Sequence, residues 1–495
     1  MSSANLLYSA DQVRAMDARA IAQGTPGYTL MKRAGEAALR ALRSRWPTAL
    51  KIIIVTGSGN NGGDGYVLAR FAHAAGLSAT VLTVAPPERL RGDALKAWQD
   101  LDGGGVQIAP YAAVALAQAD VVVDALLGTG LKESVREPFA GAIAGINGCG
   151  RPVFSLDLPS GLNGDTGQVM GAAVRADCTI SFVALKTGLF LGDGPDYTGR
   201  LLFDDLEVSP PAEPAFEPLL ERMSEADITT ALPPRRRESN KGDFGRVLVV
   251  AGGAGMPGAA RLCGESCLRV GAGLVTVATA RENVSAIASG RPELILHAVD
   301  APDDLDAVLR SANVIAIGPG LGRTPWASSL LDRVLASGKP LVLDADALNQ
   351  IAERRLSIPA GAVITPHPGE AGRLLNEPTS RVQSDRPSAL RRLCERDPQV
   401  IVVLKGAGTL VGVSSRPVPA LCERGNPGMA TAGMGDVLTG AVAGILAQCH
   451  DPWLAARAAV MAHALAGDDL ARERQRGILA LDLAEAINRW VNLRQ

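Results

Sequence analysis

Short runs of consecutive apolar residues alternate along the chain with longer segments in which apolar residues recur every three or four positions. The runs at residues 52–55, 121–123 and 247–251 contain Val, Ile, Leu and Ala, and each is followed by a glycine-rich or acidic turn. Uninterrupted apolar strands separated by helices predict a parallel sheet that is covered by helices on both faces. We therefore expect an α/β fold, preceded by a helical stretch from about residue 10 to residue 46.

The alternation stops between residues 207 and 227, where prolines and acidic residues occur without strand or helix periodicity. Such a segment is typical of an interdomain linker or a docking arm. Strand-and-turn units resume near residue 245, and the chain from residue 433 onward is mainly helical in pattern. The pattern predicts two α/β domains, one over residues 1–215 and the other over residues 225–495.

Composition narrows the functional class. The 495 residues are 47% hydrophobic and 20% charged, and 49 basic side chains against 51 acidic ones give a net charge of −2. This balance disfavours broad binding to the phosphate backbone of nucleic acids, and no apolar stretch is long enough to span a membrane. The seven cysteines are scattered, and residues 1–12 lack the basic and apolar regions of a signal peptide. We expect a cytoplasmic enzyme without nucleic-acid or membrane partners.

A glycine-rich loop, GSGNNGGDG at residues 57–65, follows the first apolar run and opens a helix. Its glycines match the G-x-G-x-x-G spacing with which a backbone approaches a dinucleotide pyrophosphate. However, the next strand ends in Ala-Pro-Pro instead of a ribose-binding acid, and no Lys-Ser/Thr pair completes a P-loop. Asp64 would also repel a phosphate in the first turn of the helix. These features argue against an ordinary nicotinamide dehydrogenase and against a P-loop enzyme.

Polar side chains follow two further strands of the first half. Asp124 lies in VDALLGTG, and Asp157 and Ser160 lie in LDLPSGLNGDTG. Because the carboxyl ends of parallel strands converge on one crevice, we expect these residues near Asn61. Asn61, Asp124 and Ser160 could share an oxygen-ligated cation. The alternative is a set of glycine turns capped by Asp, Asn and Ser side chains.

In the second half, GMGD at residues 433–436 opens a long apolar helix. Backbone N–H groups at this helix N-terminus can stabilise a developing phosphate charge, and Asp436 can take a proton from an attacking hydroxyl. Glycine followed by an acid is also a common helix cap.

His367 and Glu370 follow another strand in TPHPGE, where Glu370 could hold magnesium through water.

Several other polar positions have weaker signals. The glycines of GPGLG at residues 318–322 would let a ligand lie close to the backbone, and KGAGT at residues 405–409 could bind a nucleotide phosphate. Asp344 and Asp346 are equally well explained as helix caps. A structural role is the simplest interpretation of three further histidines, which are His297, His450 and His463.

The motifs of the first half, GSGNNGGDGYVLAR, VDALLGTG and DLPSGLNGDTG, closely resemble the N-terminal domain of bifunctional NAD(P)H-hydrate repair enzymes over residues 8–210. The resemblance implies a Rossmann-like epimerase for the R and S forms of hydrated NADH and NADPH, with potassium bound by Asn61, Asp124 and Ser160. It places Asp157 beside the nicotinamide ring, with Lys186 as an acid–base or anchoring partner or simply as its ion-pair partner. The residues implied to contact the hydrate are Asn60, Asn61, Gly62, Gly63, Asp64, Gly128, Thr129, Gly130, Leu131, Lys132, Glu133 and Ser134.

The motifs of the second half resemble the ADP-dependent NAD(P)H-hydrate dehydratase domain, which has a ribokinase-like fold, over residues 225–490. The match includes GPGLG, TPHPGE, VLKGAGT and GNPGMATAGMGDVLTG, with Ala432 where glycine is commoner. The residues implied to contact the hydrate are Ala259, Gly320, His367 and Asp436, with Gly318 at the same strand tip as Gly320. Those implied to bind the adenine nucleotide are Lys405, Gly406, Ala407, Gly408, Thr409 and Gly435.

The resemblance implies a dehydration in two steps. Asp436 deprotonates the hydroxyl of the S hydrate, which takes a phosphoryl group from ADP, and loss of phosphate then restores NADH or NADPH and leaves AMP. The expected substrates are NADHX, NADPHX and ADP, the expected ions are K⁺ and Mg²⁺, and a homo-oligomer is expected. Two alternatives stay open: a kinase for a vitamin-precursor alcohol fused to a regulatory nucleotide domain, and a scaffold module like those of RNA decay.

Overall fold

The computed structural model describes residues 5–101 and 104–493 and divides the chain into two compact units, residues 1–221 and residues 222–495. Both units are α/β, as the apolar runs predicted. Within the described residues, no helix combines the length and the apolar character that a membrane span requires. The seven cysteines are all unpaired.

The first unit contains a seven-stranded sheet in which every neighbouring pair of strands is parallel. The strands of this unit are β1 (Leu6–Tyr8), β2 (Lys51–Thr56), β3 (Ser78–Thr83), β4 (Gln107–Pro110), β5 (Val121–Ala125), β6 (Val153–Leu156), β7 (Cys178–Phe182), β8 (Leu185–Lys186), β9 (Arg200–Asp204) and, at the boundary, β10 (Leu220–Arg222). The helices are α1 (Ala10–Ala22), α2 (Gly27–Arg45), α3 (Asn60–Ala74), α4 (Gly92–Gln99), α5 (Phe139–Gly148) and α6 (Gly194–Thr198). The order in the sheet is β4-β3-β2-β5-β6-β7-β9, while β1 pairs in parallel with β8 and antiparallel with β10.

Alternate residues of the central strands point into two separate apolar clusters. Ile52 and Ile54 of β2 belong to one cluster, and Ile53 and Val55 belong to the other. Since side chains alternate between the two faces of a strand, both faces of this sheet are covered. This three-layer arrangement confirms the prediction made from the continuous apolar runs.

The structure changes three details of the sequence interpretation of this unit. The predicted opening helix is two helices, α1 and α2, with Pro26 directly before the second. Helix α3 begins at Asn60, so the asparagines and the last glycines of the loop lie inside the helix, and Asp64 stands beyond its first turn. Strands β4, β7 and β9 had not been predicted; β4 and β9 are not fully buried, so they lack the apolar run used as the criterion.

The second unit has a parallel sheet that continues into an antiparallel hairpin, in the order β13-β12-β11-β14-β15-β16-β17-β18-β19. The strands are β11 (Arg246–Val250), β12 (Leu274–Thr279), β13 (Ile295–Ala298), β14 (Val314–Ile317), β15 (Leu341–Leu343), β16 (Val363–Ile364), β17 (Ile401–Leu404), β18 (Thr409–Val413) and β19 (Arg416–Cys422). The helices are α7 (Glu225–Ala231), α8 (Pro257–Arg269), α9 (Val284–Gly290), α10 (Asp306–Ser311), α11 (Pro325–Leu335), α12 (Ala345–Arg354), α13 (Pro368–Leu375), α14 (Thr379–Ser384), α15 (Arg386–Arg396), α16 (Met434–Cys449), α17 (Pro452–Ala471) and α18 (Ala480–Trp490). Strands β13 and β19 had not been predicted, whereas the helical C-terminal segment had.

Helix α16 is the centre of the second unit, because it is buried along most of its length between α8 and α17. Its glycines allow this close packing. A Cβ placed on Gly440 would lie 2.1 Å from the carbonyl oxygen of Cys263, and one on Gly444 would lie 2.5 Å from Cγ2 of Val270. No side chain fits in these gaps, so the glycines fix the position of α16 and thereby of its N-terminal GMGD turn.

Candidate active sites

A cavity of about 530 Å³ lies in the first unit, at the carboxyl ends of β2, β5 and β6. Of the residues implied by the resemblance, those that line it are Asn60, Asn61, Asp64, Gly128, Thr129, Gly130, Leu131, Asp157 and Lys186. Those that do not line it are Asp124, Ser160, Gly62, Gly63, Lys132, Glu133 and Ser134, the last three being exposed.

Two of the glycines outside the lining have a packing role. A Cβ on Gly62 would lie 2.3 Å from the carbonyl oxygen of Gly57, and one on Gly63 would lie 2.5 Å from Cε of Met31. The glycines of this helix therefore allow its N-terminus to pack closely against the preceding loop and helix α2. The glycine excess thus reflects packing as well as ligand approach.

Asn61, Asp124 and Ser160 meet beside this cavity. The buried Asp124 carboxylate accepts hydrogen bonds from Ser160 Oγ at 2.6 Å, from the Ser160 backbone N–H at 2.8 Å and from Ser155 Oγ at 2.8 Å. Burial raises the pKa of Asp124, although these hydrogen bonds act in the opposite direction. Asn61 Nδ2 donates to the carbonyl oxygen of Leu127 at 2.9 Å, which leaves Asn61 Oδ1 buried without a partner among the described residues.

An unsatisfied amide oxygen and a buried carboxylate are hard oxygen donors, and leaving the oxygen unpaired is costly. The three residues therefore fit a small site for a cation such as K⁺. Among the described residues, no cluster of three or more His, Cys, Asp or Glu side chains suits a metal ion, so amide and hydroxyl oxygens must contribute to any such site in this part of the chain.

Asp157 and Lys186 form an ion pair in the same cavity, in which Lys186 is buried and Asp157 is partly buried. Asp157 has a positive φ of 64°, which turns its side chain back towards Lys186 on β8. The Lys186 ammonium group also donates to Ser181 Oγ at 3.1 Å and to the carbonyl oxygen of Phe182 at 2.9 Å. With three acceptors, the ammonium group has no proton left to donate. Of the roles left open for Lys186 by the sequence, the ion pair is the one observed.

One acidic residue of this cavity was missed by the sequence interpretation. Asp17 on α1 lines the cavity together with Asp64, and burial raises its pKa to about 6. Burial raises the pKa of Asp64 further above its ordinary value, and the charges of Asp157 and Asp17 add to the effect. Asp17 lies in helix α1, far from any motif, so no local sequence signal marked it as a site residue.

The second unit brings the predicted phosphate-binding residues together at the carboxyl ends of β15, β16 and β17. Lys405 Nζ lies 2.6 Å from Oδ1 of Asp344 and 3.9 Å from Oε2 of Glu370. Asp344 Oδ2 accepts a hydrogen bond from Thr439 Oγ1 on α16 at 2.7 Å. A Cβ on Gly435 would lie 3.3 Å from Lys405 Nζ. Asp344 therefore connects the strand ends to the start of α16, which is more than the capping role that the sequence left open.

Asp436 stands in the first turn of α16, after Gly433, whose φ of 89° begins the helix. Its carboxylate is partly buried and has no hydrogen bond or ion pair with any other residue that the structure describes. Burial raises its pKa to about 7, and the charge of Asp344 adds to this effect. A carboxyl group that titrates near neutral pH and has no protein partner is suited to exchange a proton with a ligand.

The loop at residues 405–409 connects β17 to β18, as predicted, and a buried arginine forms hydrogen bonds with its backbone. Arg386 on α15 donates to the carbonyl oxygens of Leu404, Lys405 and Gly408 at 3.1–3.2 Å. Gly406 has a φ of 141°, and a Cβ there would lie 2.7 Å from the Arg386 guanidinium group. Arg386 was missed because nothing in its local pattern distinguishes it from the surface arginines of the same helix.

His367 and Glu370 cap helix α13. His367 Nδ1 accepts from the backbone N–H of Gly369 at 2.8 Å, and Glu370 Oε2 accepts from the backbone N–H of His367 at 2.8 Å. Burial and then the Lys405 charge lower the pKa of His367. Because Nδ1 is an acceptor here, the neutral imidazole carries its proton on Nε2, which lies 3.4 Å from Glu370 Oε1; the side chain as a whole is half-exposed.

The residues implied to lie near the hydrate at the end of β14, Gly318 and Gly320, stand in closely packed surroundings. A Cβ on Gly318 would lie 1.9 Å from the carbonyl oxygen of Asp344, and one on Gly320 would lie 3.0 Å from the Cβ of Ala259, so Gly320 and Ala259 adjoin. His463 is partly buried, with Nε2 3.0 Å from the carbonyl oxygen of Met434, which agrees with the structural role expected of it.

Comparison with known proteins gives matches in both halves. A family model described as YjeF-related protein N-terminus matches residues 27–188, and one described as NAD(P)H-hydrate dehydratase matches residues 247–489. Bifunctional NAD(P)H-hydrate repair enzymes of Coxiella burnetii and Escherichia coli are 44% and 41% identical to the chain over 98% and 99% of its length, which cover 99% and 95% of those relatives. A ribokinase-like superfamily protein from Enterococcus faecalis matches 55% of the chain and 95% of its own length at 31% identity, with a TM-score of 0.51.

Proposed function

Because the chain belongs to the family of bifunctional NAD(P)H-hydrate repair enzymes, we propose that its first unit epimerises the hydrate and its second unit dehydrates it with ADP. The chain is an NAD(P)H-hydrate epimerase and dehydratase, that is, an isomerase and a lyase of metabolite repair, as the motifs predicted. Its architecture, a Rossmann-like unit and a ribokinase-like unit, is also the one predicted. The roles of individual residues in the two reactions are part of the proposal.

For the dehydratase, the proposed mechanism rests on the Asp436 carboxyl group, which has no partner among the described residues. Asp436 accepts the proton of the hydrate hydroxyl, whose oxygen attacks the terminal phosphoryl group of ADP and releases AMP. The backbone N–H groups of Gly435 and Asp436 at the start of α16 stabilise the phosphoryl charge, together with the helix dipole. The lone pair of the ring nitrogen then expels phosphate, and a ring proton is lost to restore NADH or NADPH.

The nucleotide lies, in this proposal, against the loop at residues 405–409 with its phosphates directed towards Gly435. Three observations support this position: Gly406 and Gly408 expose backbone without side chains, Arg386 holds that backbone in place, and Lys405 adjoins Gly435. The hydrate lies, in this proposal, against Ala259, Gly318 and Gly320, with the half-exposed side chain of His367 as a further contact.

Magnesium fits this site only through water. Glu370 Oε2 accepts the His367 backbone N–H, and Oε1 lies 3.4 Å from His367 Nε2, so both oxygens already have close protein neighbours. Glu370 would therefore orient water bound to Mg²⁺ rather than bind the ion directly. The ion would neutralise phosphate charge, which Lys405 cannot do fully while paired with Asp344.

For the epimerase, the unpaired Asn61 Oδ1 beside Asp124 supports a potassium site completed by Ser160. Potassium would balance the buried Asp124 charge and fix the turn after β5, where Leu127 contacts both Asn61 and Ser160. Asp157, paired with Lys186, would face the nicotinamide ring, with Gly128 to Leu131 along the rest of the dinucleotide.

A single incubation tests both activities. The protein is given a mixture of R and S hydrate with ADP, and the two hydrates and NADH are followed by chromatography. Conversion of both forms is expected. If the R hydrate persists while the S hydrate is consumed, epimerase activity is excluded. Phosphorylation of a vitamin alcohol without NADH formation would favour the alternative kinase function. A protein with only a scaffold function would convert neither hydrate.

Location and assembly are further proposals. We propose that the enzyme is cytoplasmic, which the seven unpaired cysteines support, since disulfides are usual in oxidising compartments. A homo-oligomer remains the expectation from the sequence, and sedimentation velocity on the purified chain measures it directly.

A further inference from the structure

The cavity of the first unit contains more ionisable groups than a binding site for a neutral ring requires. Its lining includes the carboxyl groups of Asp17, Asp64, Asp93 and Asp157, and the ammonium group of Lys186. Arg14 is the remaining cation of the lining, and its guanidinium group is engaged with Asp11 and the carbonyl oxygen of Thr129. These groups differ in whether they are already paired.

Asp157 is paired and Asp64 is not. Asp157 Oδ1 accepts from Lys186 Nζ and from the Phe182 backbone N–H, so the fold already supplies two hydrogen-bond donors to this oxygen. Asp64 and Asp17 have no hydrogen bond or ion pair with the rest of the described chain, although both side chains are largely removed from solvent. A carboxyl group in such surroundings keeps its proton more readily than one that has donors.

The reaction requires one group of each kind. The two hydrates differ at the carbon that bears the hydroxyl and adjoins the ring nitrogen. Inversion through loss of the hydroxyl needs an acid to protonate it as it leaves, and a base to deprotonate the water that returns on the opposite face. Asp64 on α3 and Asp157 after β6 come from different elements and line the same cavity, as such a pair must.

We propose that Asp64 is the general acid of the epimerase, that Asp157 is the general base on the opposite face of the ring, and that Asp17 is a positioning residue for Asp64. This assignment rests on the proposed epimerase function. The assignment gives Lys186 no part in proton transfer, because all three protons of its ammonium group are directed to protein acceptors.

Atoms and electrons balance in both steps. The C–O bond breaks with its electron pair going to oxygen, Asp64 gives that oxygen a proton, and the ring-nitrogen lone pair forms a C=N bond, which leaves a cationic ring and water. A second water then adds to the same carbon from the other face, the C=N electron pair returns to nitrogen, and Asp157 accepts the proton. Asp64 ends as a carboxylate and Asp157 as an acid, which is the arrangement needed for the reverse inversion. No oxidant or other reactant is consumed.

The observed charges support each state of this cycle. Burial and the charges of Asp157 and Asp17 raise the pKa of Asp64 well above its ordinary value, which favours the protonated form that a general acid needs. When Asp64 loses its proton, the negative carboxylates around the ring stabilise the cationic intermediate.

The test compares Asp64→Asn with wild type in water enriched in ¹⁸O. Each wild-type inversion should place one ¹⁸O atom in the hydrate. After subtraction of the uncatalysed rate, Asp64→Asn should lose at least about 100-fold in both inversion and ¹⁸O exchange. Asp64→Glu should recover part of the loss, and the matched control is Asp196→Asn, which changes an exposed carboxylate of the same unit away from the cavity. Dehydration of S hydrate in the same preparations measures the second unit independently.

The outcomes separate this proposal from the proposed function. A wild type that does not interconvert R and S defeats the epimerase function itself. A wild type that inverts without ¹⁸O uptake, or an Asp64→Asn variant within about twofold of wild type, overturns the acid role alone. If Asp64→Asn does not fold, the pH dependence of inversion is measured in Asp17→Asn instead. Removing the Asp17 charge should lower the pKa of Asp64, so the inversion rate should begin to decline at a lower pH than in wild type. An unchanged pH profile then counts against the proposal.

Discussion

Replacing Asp436 with Asn should abolish dehydration and, at the same time, stabilise the second unit at alkaline pH. The carboxyl group has no protein partner among the described residues, and burial raises its pKa from an ordinary value of 3.8 to about 7. Because the folded state holds the proton more tightly than the unfolded state does, the stability from this group is complete at low pH and is lost as the pH rises towards 7. Above pH 7 the ionised carboxylate is therefore a cost to the fold.

The size of that cost follows from the two pKa values. The difference between 3.8 and about 7 corresponds to about 4 kcal/mol, and the partial exposure of the side chain reduces the expected effect to roughly 1–3 kcal/mol. Asparagine has nearly the same shape and no charge. Asp436→Asn should therefore match wild type in stability near pH 4 and exceed it by that amount at pH 8, while its dehydration rate falls by at least about 100-fold.

The assay combines calorimetry at pH 4 and pH 8 with ADP-dependent formation of NADH from S hydrate, and R-to-S conversion is measured as the activity that should persist. Glu282→Gln, which neutralises an exposed carboxylate of the same unit, is the control. A stability gain equal at both pH values would show that the raised pKa is not its cause. Retained ADP-dependent turnover would show that Asp436 is not the base.

Three further predictions test the other assigned residues. Asp157→Ala should reduce inversion of the hydrate by about 100-fold or more and leave dehydration of S hydrate intact, as chiral chromatography measures; a fast epimerase would remove Asp157 from the mechanism. Replacing K⁺ with Li⁺ should slow wild-type inversion, because the unpaired Asn61 Oδ1 would lose its ligand, and Asp124→Asn should abolish that response; equal rates in both salts would argue against a potassium site. Arg386→Met should raise KM for ADP about fivefold with little change in kcat, if about 1 kcal/mol of loop positioning is lost. Arg386→Lys should restore part of the affinity for ADP, and Arg391→Met on the same helix should leave KM for ADP unchanged. An unaltered KM in Arg386→Met would show that this arginine does not contribute to nucleotide binding.

The fold and the positions of the strand tips could be predicted because they follow from local patterns. A continuous apolar run such as that of β2 or β5 fits a strand covered on both faces, and the residue after it must lie at the carboxyl edge of a parallel sheet. Asp124, Asp157 and His367 were found by this rule. Strands β4 and β9 were missed because they are less buried and have no such run.

The residues that act across the fold could not be predicted in this way. Asp17 reaches the first cavity from an amphipathic helix, and Arg386 reaches the loop at residues 405–409 from the start of α15. Each has the local sequence of a surface residue, and only the tertiary packing removes it from solvent. The same holds for the packing of Gly62 and Gly63, which a sequence motif attributes to a ligand and the structure explains at least partly by close packing of α3.

The pH profile of dehydration offers a test of how the second site sets the proton affinity of Asp436. A base acts when ionised, so the rate should rise about tenfold between pH 6 and pH 8 for a pKa of about 7. Asp346 contributes to that pKa through its negative charge, and its Oδ2 accepts the Gly322 backbone N–H at 2.8 Å. Asp346→Asn keeps an oxygen for this hydrogen bond while it removes the charge. The rising limb should therefore move to lower pH with little change in the maximal rate, and a shift to higher pH would contradict the electrostatic origin of the base.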